Sequence, residues 1–256
     1  MTGVIIQART GSTRFPNKVL KEIGDGKTSI EIICDACQSI KEIDVIVIAC
    51  PKKDVKTFAT LIRSFPNRDK IDIFGGSESN VYQRVLDCAR RFNIHTIVDI
   101  TSDCPFASSY EIKKLLSYVK NGAYYSSNAL PERHVPDGLD VQVYEFRALD
   151  GSPVSSKSHS GWNISEYAFN EMPFGYYAKY VKCEMPFTDS DKYKDLRITL
   201  DTREDLEVLR KIYRSGKWKK LNSKRGYKKF CKWLAKQPSA FWVNKDIIAK
   251  IPGEEK

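Results

Sequence analysis

Four short runs of aliphatic and β-branched residues, at 4–6, 45–49, 71–74 and 96–100, alternate with longer stretches whose apolar residues recur every three to four positions. A continuous apolar run of that length reads as a strand buried on both faces, and such strands need helices above and below the sheet. Parallel neighbours also need a crossover between them, and the helical patterns near 29–40, 54–64, 79–92 and 109–119 supply one each. In the third of these, Val81, Val85, Cys88, Ala89 and Phe92 share one face, and Gly75-Gly76 marks the end of the strand before it. The pattern predicts an α/β fold, a mostly parallel sheet with helices on both faces.

Beyond about residue 122 the pattern shortens. Strand candidates lie at 123–126, 139–145, 177–183 and 196–200, and the Ser/Gly/Lys-rich stretch 150–162 reads as a mobile loop. Asp201-Thr202, followed by Glu204 and Asp205, signals the start of a helix over about 203–214. With 256 residues and 41% hydrophobic composition, the chain has the material for a sizeable core. No apolar run approaches the ~20 residues that span a bilayer, and the first residues lack the basic and apolar regions of a signal peptide. The expectation is a cytoplasmic protein. Its seven cysteines are scattered and odd in number, which favours free thiols. Cys34 and Cys37 fall on one helical face with Ile30, Ile33 and Ile40, so they read as core residues, and three histidines leave little from which to build a zinc site.

Charge is unevenly placed. The chain carries +10 overall, of which residues 217–256 contribute 12 Lys/Arg against 3 Asp/Glu. The rest is nearly neutral, so the organisation reads as a body over 1–216 and a basic helical extension over 217–256. Within the extension, Tyr227, Phe230, Cys231 and Leu234 form an apolar stripe beside Lys228, Lys229, Lys232 and Lys236. Two readings stand: a helix packed on the body with a solvated lysine face, or a surface for nucleic acid or another polyanion, with Trp218, Trp233, Phe241 and Trp242 available for stacking.

The sharpest chemical signal directly follows the first strand: Gln7-Ala8-Arg9-Thr10-Gly11-Ser12-Thr13-Arg14-Phe15-Pro16-Asn17-Lys18. Open α/β sheets bind ligands at the carboxyl ends of their strands. Two guanidiniums and an ammonium among small residues suit a polyphosphate, because forked donors match phosphate oxygens. Gly24-Asp25-Gly26-Lys27-Thr28 imitates a phosphate-binding P-loop, but the spacing needs glycine at Lys21 and no strand precedes it, so it reads as a turn. Asp103 follows the fourth strand and Asp201 follows the run at 196–200, so the two carboxylates can meet over one site. One or two carboxylates plus substrate phosphates is the usual magnesium arrangement. The competing readings are a turn residue before Pro105 for Asp103 and a helix N-cap for Asp201.

Residues 4–20 resemble the opening motif of the cytidylyltransferases, nearest the spore-coat polysaccharide branch and related to the acylneuraminate cytidylyltransferases and CMP-KDO synthetases. The resemblance continues in order through Gly76–Arg84, Ile100–Pro105, Gly138-Leu139-Asp140-Val141 and Arg197–Leu206, covering about 3–215. It implies a nucleotide-diphospho-sugar transferase fold of Rossmann-like type and a CTP-dependent reaction that needs magnesium or manganese. It also implies a homodimer, formed through a subregion at about 123–185 that also binds the acceptor. Under it, Arg9, Arg14, Lys18 and Asp103 are catalytic. Ala8, Arg9, Gly11, Ser12, Arg14, Lys18, Arg84 and Ser102 bind nucleotide, Asp103 and Asp201 hold metal, and Asp140 and Gln142 face the acceptor. Two departures fall in the acceptor half: Gln142 stands where the branch usually has Glu, and Trp162-Asn163-Ile164-Ser165 lacks its usual histidine. Tyr124, Tyr125, Asn128, His134 and Trp162 are further candidates for the acceptor pocket. The expected partners are therefore CTP, a small acceptor and a second copy of the chain; nucleic acid is the alternative partner.

Overall fold

The computed structural model describes residues 1–129, 133, 135–150, 182–183 and 193–247. In chain order the elements are β1 (Thr2–Gln7), a small hairpin of β2 (Glu22–Gly24) and β3 (Lys27–Thr28), α1 (Ser29–Gln38), β4 (Val45–Pro51), α2 (Val55–Arg63), β5 (Ile71–Gly76), α3 (Val81–Arg91), β6 (Thr96–Thr101) and α4 (Ser109–Lys120). They continue with β7 (Tyr125–Ser127), β8 (Gln142–Glu145), α5 (Phe146–Asp150), β9 (Lys182–Cys183), α6 (Arg203–Ser215) and α7 (Lys224–Ala235). Five of the helices begin at a Thr, Asn or Ser that accepts a backbone N–H of the first turn: Thr28, Asn80, Ser108, Thr202 and Ser223.

One sheet orders its strands β5-β4-β1-β6-β8-β7-β9. The first four are parallel; β8 runs antiparallel to β6 and to β7, and β9 is parallel to β7. Alternation along β1 divides the core: Val4 and Ile6 face α1, α2 and α4, whereas Ile5 faces α3 and α5. The chain leaves β1 for β4 and β5 on one side, then crosses back to β6 on the other. The crevice between the carboxyl ends of β1 and β6 is therefore the topological switch point, where open α/β folds place ligands.

A third apolar cluster lies beside the sheet. It joins Phe15, Ile23, Ile32, Phe106 and Leu200 to α6 and to Tyr227, Phe230, Cys231 and Leu234 of α7. The apolar stripe of the basic helix is thus buried on the body, each large side chain stabilising the contact by about 1.5–3 kcal/mol. Trp218 lies 5.1 Å from Tyr213 and 5.8 Å from Phe106, measured between ring centroids. Phe241 makes edge contacts with Trp233 and Trp242. Among the described residues, no helix is long and apolar enough to cross a membrane.

Three local expectations change. Gly75 and Gly76 are the last two residues of β5 and not a break after Phe74; they pair with Cys50 and Pro51, because a ladder is made by backbone and a glycine gives no side-chain signal of it. Residues 196–200 form no strand; among the described residues their β-pairing is one isolated parallel bridge between Asp137 and Arg197, and Leu200 N–H donates to Asp103 O at 2.9 Å. The turn at 24–28 is the tip of the β2–β3 hairpin, with Asp25 and Gly26 both at positive φ. Of the 150–162 loop candidate, Asp150 ends α5 and the remainder lies outside the described residues, as does most of the 177–183 strand candidate.

Candidate active site

The loop after β1 is folded by its own small polar groups and by one buried carboxylate. Asp54, 5% exposed and just past β4, accepts the Thr10 N–H at 3.0 Å and the Thr10 hydroxyl at 2.7 Å. Thr10 O in turn accepts the N–H groups of Ser12 at 2.9 Å and Asn17 at 3.0 Å, which closes the loop. Phe15 anchors it in the third apolar cluster, and Asn17, in the left-handed conformation, turns the chain into a 3-10 turn over Lys18–Leu20. Gly11 and Arg14 stay exposed on the crest, as does Arg9, and Ser12 is half-buried. Ala8 is buried at its base, where its N–H donates to Ala49 O at 3.1 Å.

This turn delivers Lys18 into the switch-point crevice. Its ammonium donates to Asp103 Oδ2 at 2.9 Å and to Asp201 Oδ1 at 2.7 Å. Asp201 Oδ2 meets Arg14 at 2.9 Å and Arg197 at 2.8 Å. Two carboxylates from distant parts of the chain thus converge on one cation, as the sequence pattern allowed. Burial pushes the Lys18 pKa down, but Asp103 and Asp201 outweigh it and hold the group above its ordinary value. For Asp201, burial pushes upward, and Lys18 and Arg197 prevail to hold the carboxyl below its ordinary range. The N-cap reading of Asp201 is displaced: Thr202 caps α6 in a capping box with Asp205, which leaves the Asp201 side chain to the site.

Behind Asp201 stands a charged scaffold that sequence reasoning did not single out. Arg197 donates to Asp137 at 2.9 Å, to Asp201 and to the fully buried Asp205. Asp137 also meets Arg133 at 3.4 Å, and Arg133 holds Asp140 with both terminal guanidinium nitrogens. Asp140 is therefore linked to the crevice through Arg133, Asp137 and Arg197. Burial and the neighbouring Asp140 push the Asp137 carboxyl up to about 6, against the pull of Arg133 and Arg197. Arg197 lay inside a motif already quoted, and its position four residues before Asp201 was the available signal. Asp54 had only its place at the carboxyl end of the neighbouring strand.

Arg84 lies at the other side of the β1 loop. It is 2% exposed, donates to Ser77 O at 2.6 Å, and sits close enough to Arg9 for the two charges to repel. Burial, reinforced by Arg9, holds its pKa below the ordinary value. Ser102 is buried, its N–H bonded to Gln7 O at 2.9 Å and its carbonyl to the Ser29 hydroxyl. Gln142 opens β8 and accepts the Tyr125 hydroxyl at 3.2 Å. Tyr125 and Asn128 are core residues: Tyr125 stacks on Tyr144, and Asn128 bonds the backbone of Leu139 and Val141. Tyr124 is half-buried under the Arg147 guanidinium, 4.1 Å from its ring centre. His134 and Trp162–Ser165 lie outside the described residues.

Among the described residues, no group of three or more His, Cys, Asp or Glu could enclose a metal alone. The convergent oxygens of Asp103 and Asp201 nevertheless fit a hard divalent cation that completes its shell with phosphate and water. Arg14 and Lys18 meet at these carboxylates with donors suited to phosphate, and Arg9 adds its charge on the Arg84 side of the loop. The arrangement can hold a polyphosphate with its charge offset from two sides.

Residues 3–150 match the family model described as cytidylyltransferase. The chain is 31% identical over 207 residues to an uncharacterized protein of Methanocaldococcus jannaschii, MJ1063, covering 80% of this chain and 79% of that one. It is 25% identical over 218 residues to the spore coat polysaccharide biosynthesis protein SpsF of Bacillus subtilis, covering 83% and 86%. Among solved structures, a cytidylyltransferase from Leptospira borgpetersenii superposes with a TM-score of 0.74 at 24% identity, over 97% of this chain and 99% of that one. A CMP:2-keto-3-deoxy-manno-octonic acid synthetase complexed with CTP gives 0.57 at 14%, over 84% and 100%. The order of motifs, the switch-point crevice and the family match agree: this chain belongs to the cytidylyltransferase family, the CTP-utilising nucleotidyltransferases.

Proposed function

We propose that the protein transfers CMP from CTP to a sugar, sugar acid or phosphorylated small acceptor, releasing pyrophosphate, in the synthesis of a surface polysaccharide or glycan. The observation that carries this reading is the meeting of Lys18 and Arg14 with Asp103 and Asp201 at the switch point. The acceptor class follows the names of two similar proteins, one of spore-coat polysaccharide biosynthesis and one acting on 2-keto-3-deoxy-manno-octonic acid. In this reading the enzyme acts in the cytoplasm, and the short strands β7 and β8 begin the acceptor and dimer region.

In this reading the acceptor oxygen attacks the α-phosphorus in line. A new P–O bond forms as the bond from the α-phosphorus to the α–β bridging oxygen breaks, and where the acceptor is a hydroxyl its proton passes to solvent. The backbone of Ala8, Gly11 and Ser12, with Ser102 beneath, shapes the triphosphate seat. Arg9, Arg14 and Lys18 offset the charge that grows on the leaving pyrophosphate. Arg84, buried beside Arg9, fixes the nucleotide side of the crevice, while Asp140 and Gln142 face the acceptor. Asp103 and Asp201 would hold magnesium or manganese, which polarises phosphate oxygens when bound. Such transfers rest on positioning and electrostatics, and no side-chain nucleophile is required.

A thermal-shift panel with CTP, UTP, ATP and GTP, each with and without magnesium, tests this without an acceptor. A ligand at 100 times its dissociation constant stabilises by about 2.7 kcal/mol. A CTP-selective, magnesium-dependent rise in Tm that Asp201→Ala abolishes is expected. No shift with any nucleotide would overturn the reading.

A further inference from the structure

The basic C-terminal extension reaches the carboxylate cluster. Residues 239–241 form a 3-10 turn held to α6 by Lys211, whose ammonium donates to Ala240 O and Phe241 O. Three residues on, Asn244 is 1% exposed. Its amide donates to Asp205 Oδ1 at 2.8 Å and to Arg197 O at 3.2 Å. Its own carbonyl oxygen has no partner among the described residues, so the donors are what the site uses.

Asp205 is the pivot of this arrangement. Its Oδ1 takes the Asn244 amide and Arg197 Nε at 3.1 Å. Its Oδ2 takes Arg197 at 3.1 Å and the N–H groups of Asp201 and Thr202, both at 2.9 Å. Arg197 then reaches Asp201 Oδ2 at 2.8 Å. Asp201 is therefore held twice from the same carboxylate, once by its backbone and once through Arg197. Any shift of this buried carboxylate would loosen both holds, and the Asn244 amide supplies the fifth hydrogen bond that keeps it in place while also gripping Arg197 O.

We infer that Asn244, in the extension, is a positioning residue of the nucleotide site: it locks Asp205 and Arg197, and through them sets the direction of Asp201. The inference rests on the cytidylyl-transfer reading. It also makes the extension a working wall of the site, whatever its lysines contact.

The test measures Mn2+ binding by electron paramagnetic resonance in the presence of CTP, and CTP binding without metal by calorimetry, with no acceptor present. Asn244→Leu keeps the branched shape and removes the donors. Altered supporting partners of metal-holding residues weaken metal binding by about 10–100-fold. The expected result is Mn2+ affinity about tenfold lower in Asn244→Leu, with metal-free CTP affinity within about twofold. Lys245→Ala, an exposed neighbour, should change neither. Unchanged Mn2+ affinity in Asn244→Leu overturns the inference. Equal losses of Mn2+ and metal-free CTP affinity also overturn it, since that is general loosening. If Asn244→Leu fails to fold, Asn244→Ala, which also lacks the donors, is judged by the same two criteria. A wild-type protein that binds no Mn2+ with CTP overturns the transfer reading and this inference together, whereas the other failures leave the transfer reading intact.

Discussion

Gly138→Ala isolates what the short motif around Asp140 demands of the backbone. Gly138 has φ +108°, and a Cβ there would lie 2.5 Å from the carbonyl carbon and oxygen of Ile198 and 2.6 Å from Thr199 N. These are backbone atoms of the segment that carries Arg197 and leads into Asp201, joined to Asp137 by the Ile198 N–H at 2.7 Å. Holding an alanine at such a φ costs about 1–3 kcal/mol, and displacing packed backbone costs about 1–3 kcal/mol more. The sum, about 2–6 kcal/mol, is a large part of the roughly 5–15 kcal/mol that stabilises a domain. Gly122→Ala is the control, because Gly122 also has positive φ, +96°, but its Cβ would meet nothing within 4 Å. It should lose only the conformational part. Urea unfolding followed by tryptophan fluorescence and circular dichroism measures both, and with m near 2 kcal/mol/M the Gly138→Ala midpoint should fall by about 2 M. Equal losses at the two positions, or a loss under about 1 kcal/mol at Gly138, would refute the close-approach argument.

Three more outcomes follow from the same geometry. Asp54→Ala removes both bonds to Thr10, each about 1.5–3 kcal/mol to a charged acceptor, so Tm should drop by about 6 °C or more and calorimetry below that Tm should show CTP binding weakened by about tenfold or more. Thr202→Ala breaks the capping box and should cost about 1 kcal/mol in urea unfolding; a loss near zero would mean that α6 is held by its packing alone. Burial pushes the Cys37 thiol up to about 12 and the Cys34 thiol well above its ordinary value. Both should resist a thiol reagent at pH 8 in the native protein and react once urea unfolds it; native reactivity would contradict their place in the core.

The parallel half of the sheet was legible because each strand is apolar on both faces and each crossover helix carries its own period. Lys18, Asp103 and Asp201 were legible because strand ends in such a sheet share one edge. The supports behind them were not. Arg197 and Asp205 read as ordinary motif residues, and only the fold turns their forked donors and acceptors towards Asp201. Asn244 had no local signal at all, since its partners lie 47 and 39 residues away. The segment 196–200 misled for the opposite reason: its apolar residues are buried by α6 and α7, a burial that mimics a strand's pattern without a ladder. Gly75 and Gly76 were read as an end because a strand's continuation through glycine leaves no mark in hydropathy.

The separation between Lys18 and Asp201 is 183 residues. Any ligand gripped between them ties the first tenth of the chain to its last quarter, as a non-covalent crosslink would. Closing so long a loop removes more freedom from an unfolded chain than from a folded one, although the gain grows only with the logarithm of length. Occupancy of this crevice should therefore be felt by the whole sheet and not by the loop alone. Hydrogen exchange slowed as far away as β5 would be its signature, with a single unfolding transition moving as one.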